Sequence, residues 1–88
     1  MVVYVLLLEN SKYYIGYSEE YIFRLKKHFK NQGSLWTKKY PPIGVLEIIQ
    51  GDKKIEKKTT LKYMRKYGWE NVRGGAWCSN NLSKPKCL

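Results

Sequence analysis

Two β-rich runs on either side of a short polar break constrain this chain more than any other feature. Val2–Glu9 (VVYVLLLE) and Lys12–Tyr17 (KYYIGY) flank Asn10-Ser11. Side chains of these kinds suit a pleated, packed backbone. A connection this short returns the second run alongside the first, so the chain opens as an antiparallel hairpin. Gly16 inside the second run predicts a bulge or a close approach of another group to the backbone.

Ser18 is the expected N-cap of a first helix, with Glu19 and Glu20 in its first turn, where the helix dipole favours acids. Ile22, Leu25 and Phe29 recur at helical spacing and predict one apolar face. Asn31-Gln32-Gly33 ends that helix. Ser34–Pro42 (SLWTKKYPP) reads as a loop, and Ile43–Gln50 as a third strand. Asp52 is the expected N-cap of a second helix running to about Tyr67, stopped by Gly68. Beyond it the sequence predicts a turn, at most a short strand near Val72, and a weakly ordered tail. The expected fold is α+β: a three-stranded, mostly antiparallel sheet flanked by helices in the order β-β-α-β-α. One domain over residues 1–78 and a tail over 79–88 follow.

Charge narrows the partner. The 88 residues carry 17 Lys and Arg against 7 Asp and Glu, a net charge of +10. So strong a positive field on so small a domain suits a polyanion, most commonly nucleic acid. No apolar run approaches the roughly 20 residues that span a bilayer. No stretch pairs a basic face with a Trp/Leu/Phe face, so a membrane is not an expected partner. Residues 1–9 lack a basic leader and a cleavage site, which points to an intracellular protein. Cys78 and Cys87 are too few for a disulfide scaffold and read as free thiols.

The chemistry-bearing residues form an ordered set. Val2-Val3-Tyr4 is followed, ten residues after Tyr4, by Tyr14-Ile15-Gly16, then by Arg24 and His28 in the first helix. Gly33, Trp36, Thr37 and Pro41 come next, and Lys66-Tyr67-Gly68 with Asn71 close the series. Over roughly residues 2–75 this set resembles the GIY-YIG endonucleases, most closely the short stand-alone type of large DNA viruses and mobile elements. The second half of the motif is literal. The first keeps its tyrosine but has Val2 and Val3 for glycine and isoleucine.

Elementary chemistry supports the same residues. Phosphodiester hydrolysis needs an activated water, neutralisation of phosphoryl charge and a place for the leaving oxygen. Arg24 offers a permanently charged planar fork. His28 lies one helical turn later, and an imidazole with an unperturbed pKa of about 6.5 suits proton transfer. The resemblance implies that Tyr4 activates water and Tyr14 assists. It also implies a Mg²⁺ (or Mn²⁺) cofactor held by a glutamate of the second helix, and DNA as substrate.

Two positions depart from the family. Tyr17 stands where many members have lysine, with Lys12, Lys26, Lys27 or Lys38 as substitutes. Thr60 stands at the metal-ligand position. Glu56, at i−4, is on the same helical face and becomes the expected ligand, with Glu47 in reserve. DNA contacts are expected at Tyr17, Lys26, Lys27, Trp36, Lys38, Lys39 and Asn71, with Arg65, Lys66 and Arg73 extending the patch. Trp36 and Tyr40 either stack on bases or cap the core. Target specificity could come from a protein partner. A DNA-binding module with a degenerate site, or a small interaction protein, are the alternative readings.

Overall fold

The computed structural model describes residues 1–30 and 32–88. Asn31, assigned above to the end of the first helix, lies outside the described residues. The elements are β1 (Val2–Leu8), β2 (Lys12–Ser18), α1 (Tyr21–Phe29), α2 (Leu35–Lys39), β3 (Pro42–Gln50), α3 (Lys53–Tyr67) and β4 (Val72–Gly74).

The expected three-stranded sheet is a four-stranded mixed sheet, ordered β3-β1-β2-β4. β1 runs antiparallel to both β2 and β3, as the hairpin requires, and β4 lies parallel to β2. The short strand near Val72 is β4, and what the sequence did not indicate is its place in the sheet, since three residues are too few to carry a hydrophobic period that would assign it a partner. The order also gains α2 inside the expected loop. Ser34 caps it, its Oγ accepting from Thr37 N–H at 3.2 Å.

β1 is apolar throughout because both of its faces are covered. Val3 and Val5 join Tyr13, Ile15, Tyr63, Met64 and Val72 in a core beneath α3. Tyr4, Leu6 and Leu8 join Tyr14 and Trp36 in a second core beneath α1 and α2. A strand buried on both sides reads as a continuous run, where a half-exposed one alternates.

α3 matches its expected bounds. Asp52 caps it, accepting from Lys54 N–H at 3.0 Å and Ile55 N–H at 3.3 Å. Gly68 ends it at φ 91°. α1 differs in start and in phase. Ser18 Oγ accepts from Glu20 N–H at 3.0 Å, a turn before the helix, and Glu20 occupies the cap. Ile22 and Phe29 are exposed, and the inward face is Tyr21, Leu25 and His28. His28 is fully buried and hydrogen-bonded on both sides of its ring. Those bonds fix the helix rotation, and hydrophobic spacing alone does not register them.

Residues 79–88, expected as a loose tail, lie against the domain. The Arg73 guanidinium donates to the carbonyls of Ser79 at 2.7 Å and Asn80 at 3.3 Å. Leu82 and Leu88 pack on the α3-side core. Among the described residues no helix is long and apolar enough to cross a membrane.

Candidate active site

The site is assembled where β1 and β2 lie side by side under α1. Tyr4 pairs across the strands with Gly16. Any Cβ at position 16 would overlap the end of the Tyr4 ring. Gly16 is therefore the close-approach glycine anticipated from its place in β2, and the group approaching it is the Tyr4 phenol. Tyr14, two residues before Gly16, projects from the same face of the sheet.

α1 places His28 over both tyrosines. Its ring centroid lies 5.7 Å from that of Tyr4 and 5.0 Å from that of Tyr14. His28 Nε2 is 3.1 Å from Tyr4 Oη, and Nδ1 is 3.1 Å from Thr37 Oγ1. A side chain at position 33 would strike the imidazole, so Gly33 leaves that ring its space. Arg24, one turn before His28, is exposed and opens onto a shallow hollow with Tyr17, Ser18, Glu19 and Glu20.

Glu56 enters from the other side of the sheet, in the first turn of α3. Its Oε1 lies 3.9 Å from where a Gly75 Cβ would stand. It reaches a groove of about 410 Å³ lined by Lys53, Glu56, Lys57, Gly75, Ala76 and Trp77. Thr60 is enclosed, its Oγ1 donating to the Glu56 carbonyl at 2.8 Å and lying under Gly74. An acid at position 60 would be shut in, whereas position 56 opens to the groove.

These groups sense one another's charge. Burial raises the Tyr4 phenol above its ordinary pKa, Arg24 opposes this, and Glu56 adds to it. Tyr14 is pushed up to about 12, chiefly by burial and then by Tyr4, with Cys78 and Glu56 adding and Arg24 opposing. Burial, reinforced by Arg24, lowers His28 to about 4. Burial raises Glu56, against the pull of Lys53. A buried phenol and a buried imidazole in contact both favour their neutral forms.

Several expected residues are placed elsewhere. Glu47, the reserve ligand, pairs with Val5 on the α3 face and accepts a 2.5 Å hydrogen bond from Tyr63 Oη. It is on the opposite face from Tyr4, because β-strand side chains alternate. Trp36, a candidate for base stacking, is 2% exposed and donates from Nε1 to the Tyr13 carbonyl at 2.9 Å. It caps the core. Arg73, expected in the basic patch, is buried against the Trp36 ring, 4.2 Å from its centroid, with its protons spent on carbonyls. Asn71 accepts from Lys12 Nζ at 2.6 Å and donates to the Tyr67 carbonyl at 2.8 Å. That amide closes the α3–β4 turn, and Lys12 is engaged with it.

Tyr17 is half-buried beside Arg24, with Lys53 Nζ 5.9 Å from its ring centroid. Lys26, Lys38 and Lys39 are exposed, and Lys27 leans over Phe23. Cys78 and Cys87 are free and exposed. The sequence reading missed Lys53, Lys57 and Trp77, which line the Glu56 groove, and the part Thr37 plays behind His28. The Ser34–Thr37 spacing of a helix N-cap is the signal that could have revealed the last.

No protein family, curated protein or solved structure matches this chain.

Proposed function

We propose that this protein is a metal-dependent DNA endonuclease of the GIY-YIG type, acting inside the cell. The observation that carries the reading is the hydrogen bond between Tyr4 Oη and His28 Nε2, with Arg24 one turn away and charged toward both. A buried phenol and imidazole in contact form a proton path, and the exposed guanidinium beside them is a phosphate anchor.

The roles follow from position. Arg24 takes two phosphate oxygens and fixes the scissile group. Tyr4 orients the attacking water, with His28 behind it to receive a proton. Tyr14, held neutral by burial, donates a hydrogen bond to a phosphoryl oxygen. Lys53, Lys57, Lys26, Lys38 and Lys39 track the flanking backbone, which makes binding steeply salt-dependent.

The residues also fit a hard cation. Among the described residues no group of three or more His, Cys, Asp or Glu converges, but Mg²⁺ is commonly bound through one or two carboxylates, waters and substrate phosphates. Glu56 is a half-buried carboxylate facing an open groove, and it would hold Mg²⁺ or Mn²⁺ there. When bound, the cation neutralises phosphoryl charge and acidifies water.

Without DNA the site is quiescent. A phenol raised above its ordinary pKa and an imidazole lowered to about 4 keep the proton on Tyr4. A phosphate on Arg24 cancels one of the two causes that depress His28, so substrate binding itself readies the proton path. The test is supercoiled plasmid incubated with protein and Mg²⁺. Nicked or linear product that a chelator abolishes is expected; intact plasmid with Mg²⁺ and with Mn²⁺ contradicts the reading.

A second reading is a DNA-binding module that does not cut. Thr60 at the family's ligand position and Tyr17 at its lysine position favour it. Salt-sensitive DNA binding without cleavage in any divalent ion would select it.

A further inference from the structure

His28 is the only histidine in the chain and is fully enclosed, with one polar neighbour at each ring nitrogen among the described residues. A neutral imidazole has one proton, so one nitrogen donates and the other accepts. The two ends of the network make the same choice. Tyr4 is fully buried; among the described residues the Arg24 guanidinium beside its hydroxyl can only donate, and the acceptor it reaches is His28 Nε2. A proton on Nε2 would leave the Tyr4 O–H with no acceptor. At the other end the Thr37 hydroxyl donates to the Ser34 carbonyl at 3.1 Å, which leaves a lone pair of Oγ1 toward His28 Nδ1. Thr37 is itself fully buried, and the Ser34 cap fixes its position at the start of α2.

We propose that Thr37 is a positioning residue that holds His28 as the Nδ1–H tautomer, so that Nε2 is free to accept the Tyr4 proton. Imidazole in water favours the other tautomer, so the lock has an effect that burial alone does not give. Its catalytic use rests on the nuclease reading. Where substrate binding opens the Tyr4 hydroxyl to water, one proton of the attacking water passes to Tyr4 Oη while the phenol's own proton passes to His28 Nε2. The water oxygen bonds to phosphorus, and the bond from phosphorus to the leaving sugar oxygen breaks. That oxygen takes a proton from solvent, and His28 later returns its extra proton to solvent. In the Nε2–H tautomer no lone pair faces Tyr4, and the transfer stops.

The test needs no substrate. In protein labelled with ¹⁵N-histidine at neutral pH, one imidazole gives one pair of ring nitrogens. The expected spectrum has Nδ1 protonated and Nε2 bare; a protonated Nε2 in the wild type overturns the proposal. Thr37→Val keeps the side chain's shape and removes the acceptor. It should move His28 toward Nε2–H and slow cleavage at least about tenfold at unchanged DNA affinity, less than the roughly hundredfold of losing the proton-transfer group outright. Thr37→Ser should restore both. A valine variant that retains the wild-type tautomer also overturns the proposal. If that variant does not fold, the wild-type spectrum still decides. An Nδ1–H wild type that cleaves no DNA leaves the lock standing and removes the nuclease reading.

Discussion

Acidification should destabilise this protein well before its carboxylates are neutralised, and His28 is the reason. Its imidazole is lowered from 6.5 to about 4 in the folded chain, by burial first and by Arg24 second. The groups packed around it are Arg24 on its own helix, Tyr4 on β1, Tyr14 on β2 and Thr37 on α2. None is an acid that could welcome an imidazolium. The unfolded chain binds the proton near 6.5, the folded chain only near 4, so between those values the unfolded state holds more protons. Stability is therefore complete above pH 6.5 and falls as pH drops toward 4. By about pH 4.5 the loss from this one group is roughly 2.5 kcal/mol. For a domain of this size, with a urea m-value of about 1 kcal/mol/M, the midpoint should fall by roughly 2.5 M. Glu56 is raised, so its protonation works the other way near its own titration and must be subtracted. Urea titrations of wild type and His28→Gln at matched pH make that subtraction. The wild type should lose about 2.5 kcal/mol more than the variant between neutral pH and about pH 4.5. Parallel curves for the two proteins would refute the assigned burial of a neutral His28.

Three further outcomes follow from the packing. Gly16→Ala sets a Cβ into the Tyr4 ring and should cost about 1–3 kcal/mol by overpacking. Thermal denaturation reads the cost, and a neutral change would mean Tyr4 does not lie across Gly16. Trp36→Ala should cost about 3–5 kcal/mol, as a core truncation does, while folded variant at low temperature keeps its DNA affinity in gel-shift titrations. Glu56→Gln should abolish Mg²⁺-dependent nicking while Glu47→Gln leaves it, because the Glu47 carboxylate is taken up by Tyr63 and that of Glu56 opens onto the groove; a plasmid assay with both variants separates them.

Much of the fold was legible, for identifiable reasons. The hairpin, β3 and the bounds of α3 carry strong local signals: apolar runs, the Asp52 cap and the Gly68 stop. The phase of α1 was not legible, because it is set by His28 bonding to Tyr4 and Thr37, residues 24 and 9 positions away. A short strand near Val72 was in view, but its parallel pairing with β2 spans the whole intervening chain and leaves no local pattern. The site divides in the same way. Tyr4, Tyr14, Arg24 and His28 share a spacing that sequence displays, and the structure brings them together. For Trp36 the sequence left base stacking and core capping open, and Arg73 and Asn71 read as surface chemistry because Arg and Asn so often are. Their tertiary partners, the Tyr13, Ser79 and Tyr67 carbonyls, turn them inward.

The most direct measurement is plasmid cleavage by Tyr4→Phe against wild type, in Mg²⁺, at protein concentrations that give equal DNA occupancy. The change removes one oxygen from a fully buried ring and leaves Arg24 and the lysines to bind as before. Equal binding with cleavage reduced by at least about a hundredfold, the scale of a lost acid–base group, is the expected result. Cleavage undiminished at equal occupancy would contradict a catalytic role for the Tyr4–His28 pair.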